Sequence, residues 1–292
     1  MLLRENNRTN VLLFLYDKGG IFMKVHFHGT AAFEGIPSLF CHCETCKHAK
    51  VRGGKNIRTR TSVLIDEILK IDFPADTLHH SIRDSVDMDK VRDLLFTHSH
   101  SDHLYPEDLL IRALGYAQFN EEEELHLYGH DLPIKHCSQL LATEIHRFQF
   151  HNLKPFETVQ TQTATITPLL ANHDPKETCL LYIIEKDGKT IFYGHDSGWF
   201  PEQTWDWLKG KKLDLAILEC TTGNAPQCEV HMNVEDTLKT REWLIENCVM
   251  KAEGRIVVTH FSHNAHLLHE DLVRIFEPNG IIVAFDGMQL DI

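Results

Sequence analysis

The segment His98-Ser99-His100-Ser101-Asp102-His103 constrains this chain more than any other. Four metal-capable side chains fall within six residues, directly after the apolar run Leu94-Leu95-Phe96. That run reads as a buried strand. A strand ending in such a cluster delivers its imidazoles and carboxylate to the loop at its carboxyl end, where α/β sheets commonly bind ligands. Alternate residues of an extended segment project to opposite sides, so the H-x-H-x-D-H spacing can serve two metal ions at once.

Three later positions complete such a site. His173 follows a strand expected over 163–171, Asp196 follows one over 190–194, and His260 follows Ile256-Val257-Val258-Thr259. Each stands at the carboxyl end of an apolar run, as the first cluster does. Five histidines and two aspartates suit Zn, Mn or Fe better than soft-metal chemistry. Two such ions about 3.5–4 Å apart share a bridging carboxylate and a water whose pKa falls to about 7, so hydroxide exists at neutral pH.

Hydrophobic periodicity predicts further strands over 24–28, 62–66, 69–72, 93–97, 125–128, 147–150, 179–185, 214–219, 255–259 and 281–284. Helices are expected around 76–82, 106–118, 131–143, 201–208, 234–247 and 266–274. Asp187-Gly188 between two apolar runs marks a hairpin turn. The expected architecture is α/β, with two sheets covered by outer helices, and no shift in composition divides 23–292. Residues 1–22 look foreign to the rest: a polar stretch from Arg4 to Asn10 and the break Lys18-Gly19-Gly20 precede Met23. In a bacterial message Lys-Gly-Gly can be written with a purine-rich ribosome-binding sequence. Two readings of 1–22 follow: a translated leader ahead of a natural start at Met23, or an ordinary N-terminal extension.

A net charge of -13 argues against nonspecific nucleic-acid binding. Histidine is the compositional outlier, with 21 residues. The longest early apolar run, Val11 to Tyr16, is far short of the ~20 residues that span a bilayer. No secretory signal is visible, so the eight cysteines are expected to be reduced thiols in a cytoplasm. Three of them crowd into Cys41-His42-Cys43-Glu44-Thr45-Cys46, a C-x-C-x2-C spacing, and His263 sits three residues beyond His260. Cys41, Cys43, Cys46 and His263 satisfy a structural zinc site, which would tie the 41–46 loop to the active-site edge.

H-x-H-x-D-H followed by isolated His, Asp and His after later strands resembles the metallo-β-lactamase superfamily over nearly all of 23–292. The resemblance implies a four-layer αβ/βα sandwich of two mainly antiparallel or mixed sheets flanked by helices, with the metals at one edge of the sheets. It implies one ion on His98, His100 and His173, a second on Asp102, His103 and His260, and Asp196 as the bridge. The cysteine cluster, Gly29-Thr30, Gly35-Ile36-Pro37, Thr259-His260-Phe261-Ser262-His263 and Phe285-Asp286-Gly287-Met288 narrow it further. These segments resemble the cyclic phosphodiesterases of the carbon–phosphorus lyase pathway, which act on phosphoribosyl 1,2-cyclic phosphate; that likeness also implies a homodimer.

His231, in Glu229-Val230-His231-Met232-Asn233 just before an expected helix, is the remaining candidate. In phosphodiesterases of the resembled superfamily a histidine in this place contacts phosphate and protonates the leaving oxygen. A phosphodiester needs a nucleophile, neutralisation of its phosphoryl oxygens and an acid for the leaving alkoxide. A bridging hydroxide, two cations and His231 would supply them, and helix amides beside His231 would add anion affinity. The expected function is thus dinuclear hydrolysis of a small cyclic or nucleotide-like phosphodiester. The alternatives are acyl hydrolysis of a lactone or thioester on the same metals, and a non-catalytic metal-binding scaffold. His26 and His28 read as packed strand residues, Arg58 and Arg60 as ion-pairing residues, and Trp199, Trp205 and Trp207 as core or surface aromatics, with Trp199 close enough to Asp196 to line the pocket.

Overall fold

The computed structural model describes residues 22–112, 116–118 and 123–292. Apart from Phe22, the segment read as leader or extension lies outside these residues. No helix among the described residues is long and apolar enough to cross a membrane.

The first half of the chain builds one sheet. Its strands are β1 (Lys24–Gly29), β2 (Ser62–Ile65), β3 (Leu69–Ile71), β4 (Asp93–Leu95), β5 (Leu125–Gly129) and β6 (Phe148–Asn152), and the terminal strand β14 (Met288–Asp291) returns to pair with β1. The order is β14-β1-β2-β3-β4-β5-β6. The second sheet comprises β7 (Val159–Gln160), β8 (Thr165–Leu170), β9 (Leu180–Lys186), β10 (Lys189–Gly194), β11 (Leu213–Glu219), β12 (Met250–Thr259) and β13 (Ile281–Val283), in the order β13-β12-β11-β10-β9-β8-β7. Both sheets are mixed: antiparallel from β14 to β3 and from β7 to β10, parallel from β3 to β6 and from β10 to β13.

Three apolar layers hold the sandwich together. Val25, Phe27, Ile65 and Ile71 of one sheet meet Ile166, Ile184, Ile191, Ile217 and Val257 of the other between the sheets. The outer face of the second sheet is covered by α4 (Glu202–Leu208), α5 (Val234–Glu246) and α6 (His269–Phe276), with Trp205, Leu244, Leu272 and Phe276 buried there. Across the outer face of the first sheet, α3 (Asp131–Leu140) buries Ile134 and Cys137 against Leu94 and Leu127. A further helix, α2 (Thr77–Asp84), contacts β1. Strands buried on both faces read as continuous apolar runs, which is why Leu180–Ile184 and Leu215–Leu218 were visible as strands without alternation.

Several elements differ from expectation, among them β7 and β14, where no strand is expected from the sequence. The segment expected as a helix over 106–118 is a 3-10 helix from Pro106 to Arg112, and 113–115 lie outside the described residues. The cysteine segment is only partly a loop: α1 (Glu44–Arg52) begins inside it, with Cys43 as N-cap accepting from the Cys46 amide.

Candidate functional site

Five strands of the two sheets deliver the site residues at their carboxyl ends. His98–His103 follow β4, His173 follows β8, Asp196 follows β10, Glu219 ends β11 and His260 follows β12. Asp196 and His260 leave their strands with φ of 58° and 56°. Such left-handed backbone costs a non-glycine residue energy and is retained where surrounding structure over-determines it, commonly at functional sites. Here it turns both side chains back over the sheet ends.

The seven expected metal-ligating residues come together in two groups. Donor atoms of His98, His100 and His173 lie within 4.8 Å of one another, as do those of Asp102, His103, Asp196 and His260. Asp196 Oδ2 stands between the groups, 2.9 Å from His103 Nε2, 3.4 Å from His98 Nε2 and 3.7 Å from His260 Nε2.

Each imidazole is oriented from behind. Nδ1 of His103 meets Asp72 Oδ2 at 2.7 Å, Nδ1 of His98 meets Thr97 Oγ1 at 3.0 Å and Nδ1 of His260 meets Thr221 Oγ1 at 2.8 Å. His100 is turned the other way, with Nε2 on Asp174 Oδ2 at 3.0 Å, and His173 directs Nδ1 to Val230 O at 3.3 Å. Carboxylates and carbonyls accept only, so these bonds put the protons of His103, His100 and His173 on the outward nitrogens. The inward nitrogens then present lone pairs to one another: His100 Nδ1 faces His173 Nε2 across 3.1 Å. Buried Nε2 atoms of His98, His103 and His260 likewise find no hydrogen-bond partner among the described residues. Lone pairs held so close are compatible with cations between them, and outer partners of this kind are typical of metal-ligating histidines. The residues therefore fit divalent metal ions.

His231 lies on the wall of the same cavity, a space of about 320 Å³ that His100, Asp102, His173, Asp196 and His260 also line. Its Nδ1 is 3.1 Å from Glu219 Oε1 and 3.3 Å from Asp196 Oδ1. Burial pulls the imidazole down, but Glu219 and Asp196 prevail and push it up to about 9. Glu219 is itself fixed by the amides of Ser197 at 2.7 Å and Thr221 at 3.0 Å. The helix beside His231 gives no anion site. The side chain of Asn233, its N-cap, takes the Asp236 amide, Val234 donates to Gly223 O, and the first turn carries Glu235 and Asp236.

The sulfur cluster also assembles. Cys41, Cys43, Cys46 and His263 bring one donor atom each within 4.8 Å of the others, with His263 Nδ1 3.5 Å from Cys43 Sγ and 3.7 Å from Cys41 Sγ. Burial opposes ionisation of Cys43, yet the Cys46 amide and His263 pull it down to about 6. Burial pushes its neighbour Cys46 the other way, up to about 12, so the assembled donor set rather than thiol acidity is what fits a zinc ion.

Other candidates settle as packing residues. His26 and His28 are buried on β1. Arg60 pairs with Asp76 at 3.1 Å, whereas Arg58 forms no direct ion pair among the described residues. Its guanidinium donates to Thr30 Oγ1 and Ala284 O, both at 2.7 Å, and lies over the Phe261 ring. Trp199 packs on Trp205 with ring centroids 4.7 Å apart and is not on the cavity wall. Asp286, in the segment after β13, accepts from the Thr30 hydroxyl and the Thr59 amide, both at 2.7 Å, and so ties the chain's end to the 30–60 region.

Two mixed sheets between helical layers, with a histidine–aspartate cluster across their strand ends, define a protein of the metallo-β-lactamase fold. The family model described as the beta-lactamase superfamily domain matches residues 61–261, and the chain belongs to that superfamily. Among solved structures, it is similar to a diphosphatase from the PhnP family at 21% identity, covering 93% of this chain and 98% of that one with a TM-score of 0.70. It is similar to Zn(2+)-bound PqqB from Methylobacterium extorquens at 18% identity, covering 92% and 100% with a TM-score of 0.71. Human tRNase Z, short form, matches at 16% identity, covering 91% and 98% with a TM-score of 0.63. No curated protein matches the chain.

Proposed function

We propose that this chain is a metal-dependent phosphodiesterase hydrolysing a small cyclic or nucleotide-like phosphodiester. One observation carries the reading: His231, backed by Glu219 at 3.1 Å, shares a cavity with the ligand cluster. With Nδ1 engaged, its Nε2 is the nitrogen left for the cavity, and a protonated imidazole there is the acid a leaving alkoxide needs. A lactone or thioester places less demand on such a group. Two of the similar structures are named as a diphosphatase and a tRNase, which agrees with chemistry at phosphorus.

His98, His100 and His173 would hold one divalent ion, Asp102, His103 and His260 the other, and Asp196 would serve both; zinc or manganese suits these donors, and iron is the third choice. When bound, such ions neutralise phosphoryl oxygens and lower the pKa of a water to near neutrality. Cys41, Cys43, Cys46 and His263 would hold a structural zinc. Reduced thiols of that kind suit a cytoplasmic setting.

The test is hydrolysis of bis-p-nitrophenyl phosphate, cyclic nucleotides and p-nitrophenyl acetate by zinc- or manganese-loaded protein. His231→Ala should lower phosphodiester turnover about 10²–10⁴-fold and leave ester turnover within a few-fold. Equal losses on both substrates would remove the basis for the assignment.

A further inference from the structure

One wall of the cavity comes from the turn that follows β1. Ala32, Phe33 and Glu34 line it opposite the ligand cluster. This segment is a fixed turn. The Ala32 amide donates to Phe261 O at 3.0 Å, Gly35 to Ala32 O at 3.1 Å and Ile36 to Arg58 O at 2.9 Å, while Arg60 Nε holds the Phe33 carbonyl at 2.8 Å. Gly35 sits at φ 70°, where a side chain would be strained.

Glu34 is anchored through one oxygen only. Its Oε1 takes the Ser262 hydroxyl, lies 3.5 Å from Asn264 Nδ2 and stands 3.6 Å from His263 Nε2. Its Oε2 has no protein partner among the described residues. His263 in turn points its other nitrogen at Cys43 and Cys41. The sulfur cluster thus braces a carboxylate on the wall of the catalytic cavity, with one acceptor oxygen uncommitted.

We propose that Glu34 is the residue that selects the substrate. Its free oxygen accepts a hydroxyl from the neutral, sugar-like part of a phosphodiester, and its charge turns away substrates that carry a second negative charge. This rests on the phosphodiesterase reading above and narrows it to singly charged, hydroxyl-bearing diesters, which sets this chain apart from enzymes whose phosphoribosyl or diphosphate substrates carry further charge. A phosphodiester brings one charge to the cations, whereas a phosphomonoester or inorganic phosphate brings close to two. A unit charge facing another across a cavity of this size, at an effective dielectric of about 20, is worth roughly a tenfold discrimination. Because the turn is rigid, selection needs no rearrangement, so the effect falls on binding more than on turnover.

The experiment uses full-length, metal-loaded wild type, Glu34→Gln and Glu34→Asp. Binding of inorganic phosphate is measured by calorimetry, which requires no turnover. Turnover is measured on bis-p-nitrophenyl phosphate, adenosine 2′,3′-cyclic phosphate and p-nitrophenyl phosphate, and zinc content is assayed in each variant. In Glu34→Gln, phosphate, with close to two charges, should bind more than about tenfold tighter, and the monoester-to-diester ratio of kcat/KM should rise about tenfold. KM for bis-p-nitrophenyl phosphate, with one charge, should fall by up to about tenfold, and KM for the cyclic nucleotide, whose hydroxyl contact is weakened, should fall less, with kcat nearly constant on both. Glu34→Asp, which keeps the charge, should stay near wild type. Unchanged phosphate affinity in a zinc-retaining Glu34→Gln would overturn the proposal, as would equal shifts in the Gln and Asp variants. Should Glu34→Gln shed zinc, its phosphate affinity is measured with zinc restored to the sulfur cluster, where tighter binding supports the charge role and an unchanged value refutes it. A wild type that cleaves esters but no phosphodiester would defeat the functional assignment instead, with the phosphate-binding comparison still readable.

Discussion

His103 donates its Nδ1 proton to Asp72 Oδ2 across 2.7 Å, and both side chains are fully buried. Asp72 is held in turn by the Thr97 amide at 2.9 Å and the Thr97 hydroxyl at 3.0 Å. The pair fixes the tautomer and ring angle of His103, so its Nε2 lone pair faces Asp102 and Asp196. Asp72→Ala should weaken metal binding about 10–100-fold, the usual effect of removing an outer partner of a ligating histidine. Competition against a chromophoric chelator measures this. Unchanged affinity would mean that packing alone orients the ring.

Glu219 plays the corresponding part behind His231. Glu219→Gln keeps the shape but removes the charge that favours a protonated imidazole. Phosphodiester kcat should fall on the order of 10²-fold with metal content unchanged. Steady-state kinetics paired with metal analysis checks this, and a loss matched by loss of metal would make Glu219 a structural residue of the metal centre.

Much of this arrangement is legible in the sequence because strand ends announce themselves. A run such as Ile256–Thr259 followed by histidine states both where a strand stops and what it presents. Asp72 after Leu69–Ile71 and Glu219 after Leu213–Leu218 carry the same signal, an acidic residue closing an apolar strand, but the run alone does not say what either one pairs with. Their partners His103 and His231 lie 31 and 12 residues away, and only the sheet order makes them neighbours. Strand β14 and helix α1 were missed for other reasons. The terminal strand is short and half-exposed, and takes its pairing from β1 at the far end of the chain. Helix α1 has almost no apolar face, burying only Thr45, Cys46 and Ala49, so periodicity is silent there. Glu34 had no signal at all, since its place on the cavity depends on a turn clamped by Arg58 and Phe261.

Cys43 is the centre of the sulfur cluster, touching His263 and accepting from the Cys46 amide at 3.4 Å. Cys43→Ser should abolish zinc retention at this site and lower Tm by roughly 10 °C, because metal-binding energy at such a site is folding energy. Zinc release with a colorimetric chelator and thermal melts measure the two effects. Wild-type stability in a zinc-free Cys43→Ser variant would show that the cluster is not a structural site.

Lys70 is fully buried, its ammonium against Ser62 Oγ at 2.5 Å and His28 Nδ1 at 3.3 Å. Burial drives it down from 10.5 to about 7, against the pull of Asp72 and Asp84. Between those two values the unfolded chain binds the proton and the folded chain does not. The contribution of Lys70 therefore grows more favourable as pH rises from about 7 to 10.5, by up to about 5 kcal/mol, and is flat outside that window. Lys70→Met removes the dependence. Urea unfolding of both proteins at pH 7, 8.5 and 10 isolates it as a difference. A difference independent of pH would mean that Lys70 keeps its proton in the folded state.

Gly198 tests whether the two loops that frame the cavity must touch. Its amide donates to Asn172 O at 3.0 Å, beside His173, and it lies two residues after Asp196. A Cβ at this position would sit 1.9 Å from Glu229 O, backbone two residues before His231. No flexible side chain can yield there, so Gly198→Ala must push the 229–231 segment away from Asp196. Displacement of a catalytic group by about 1 Å costs on the order of 10²-fold in rate, while overpacking costs roughly 1–3 kcal/mol of stability. The variant should therefore fold, retain its metals and lose about two orders of magnitude in phosphodiester kcat. Ala225→Gly, on the exposed part of the same loop, alters no such contact and should leave kcat nearly unchanged. Metal analysis, urea unfolding and kinetics together distinguish displacement of His231 from loss of the ligand cluster, and near-wild-type turnover by Gly198→Ala would count against His231 as the leaving-group acid.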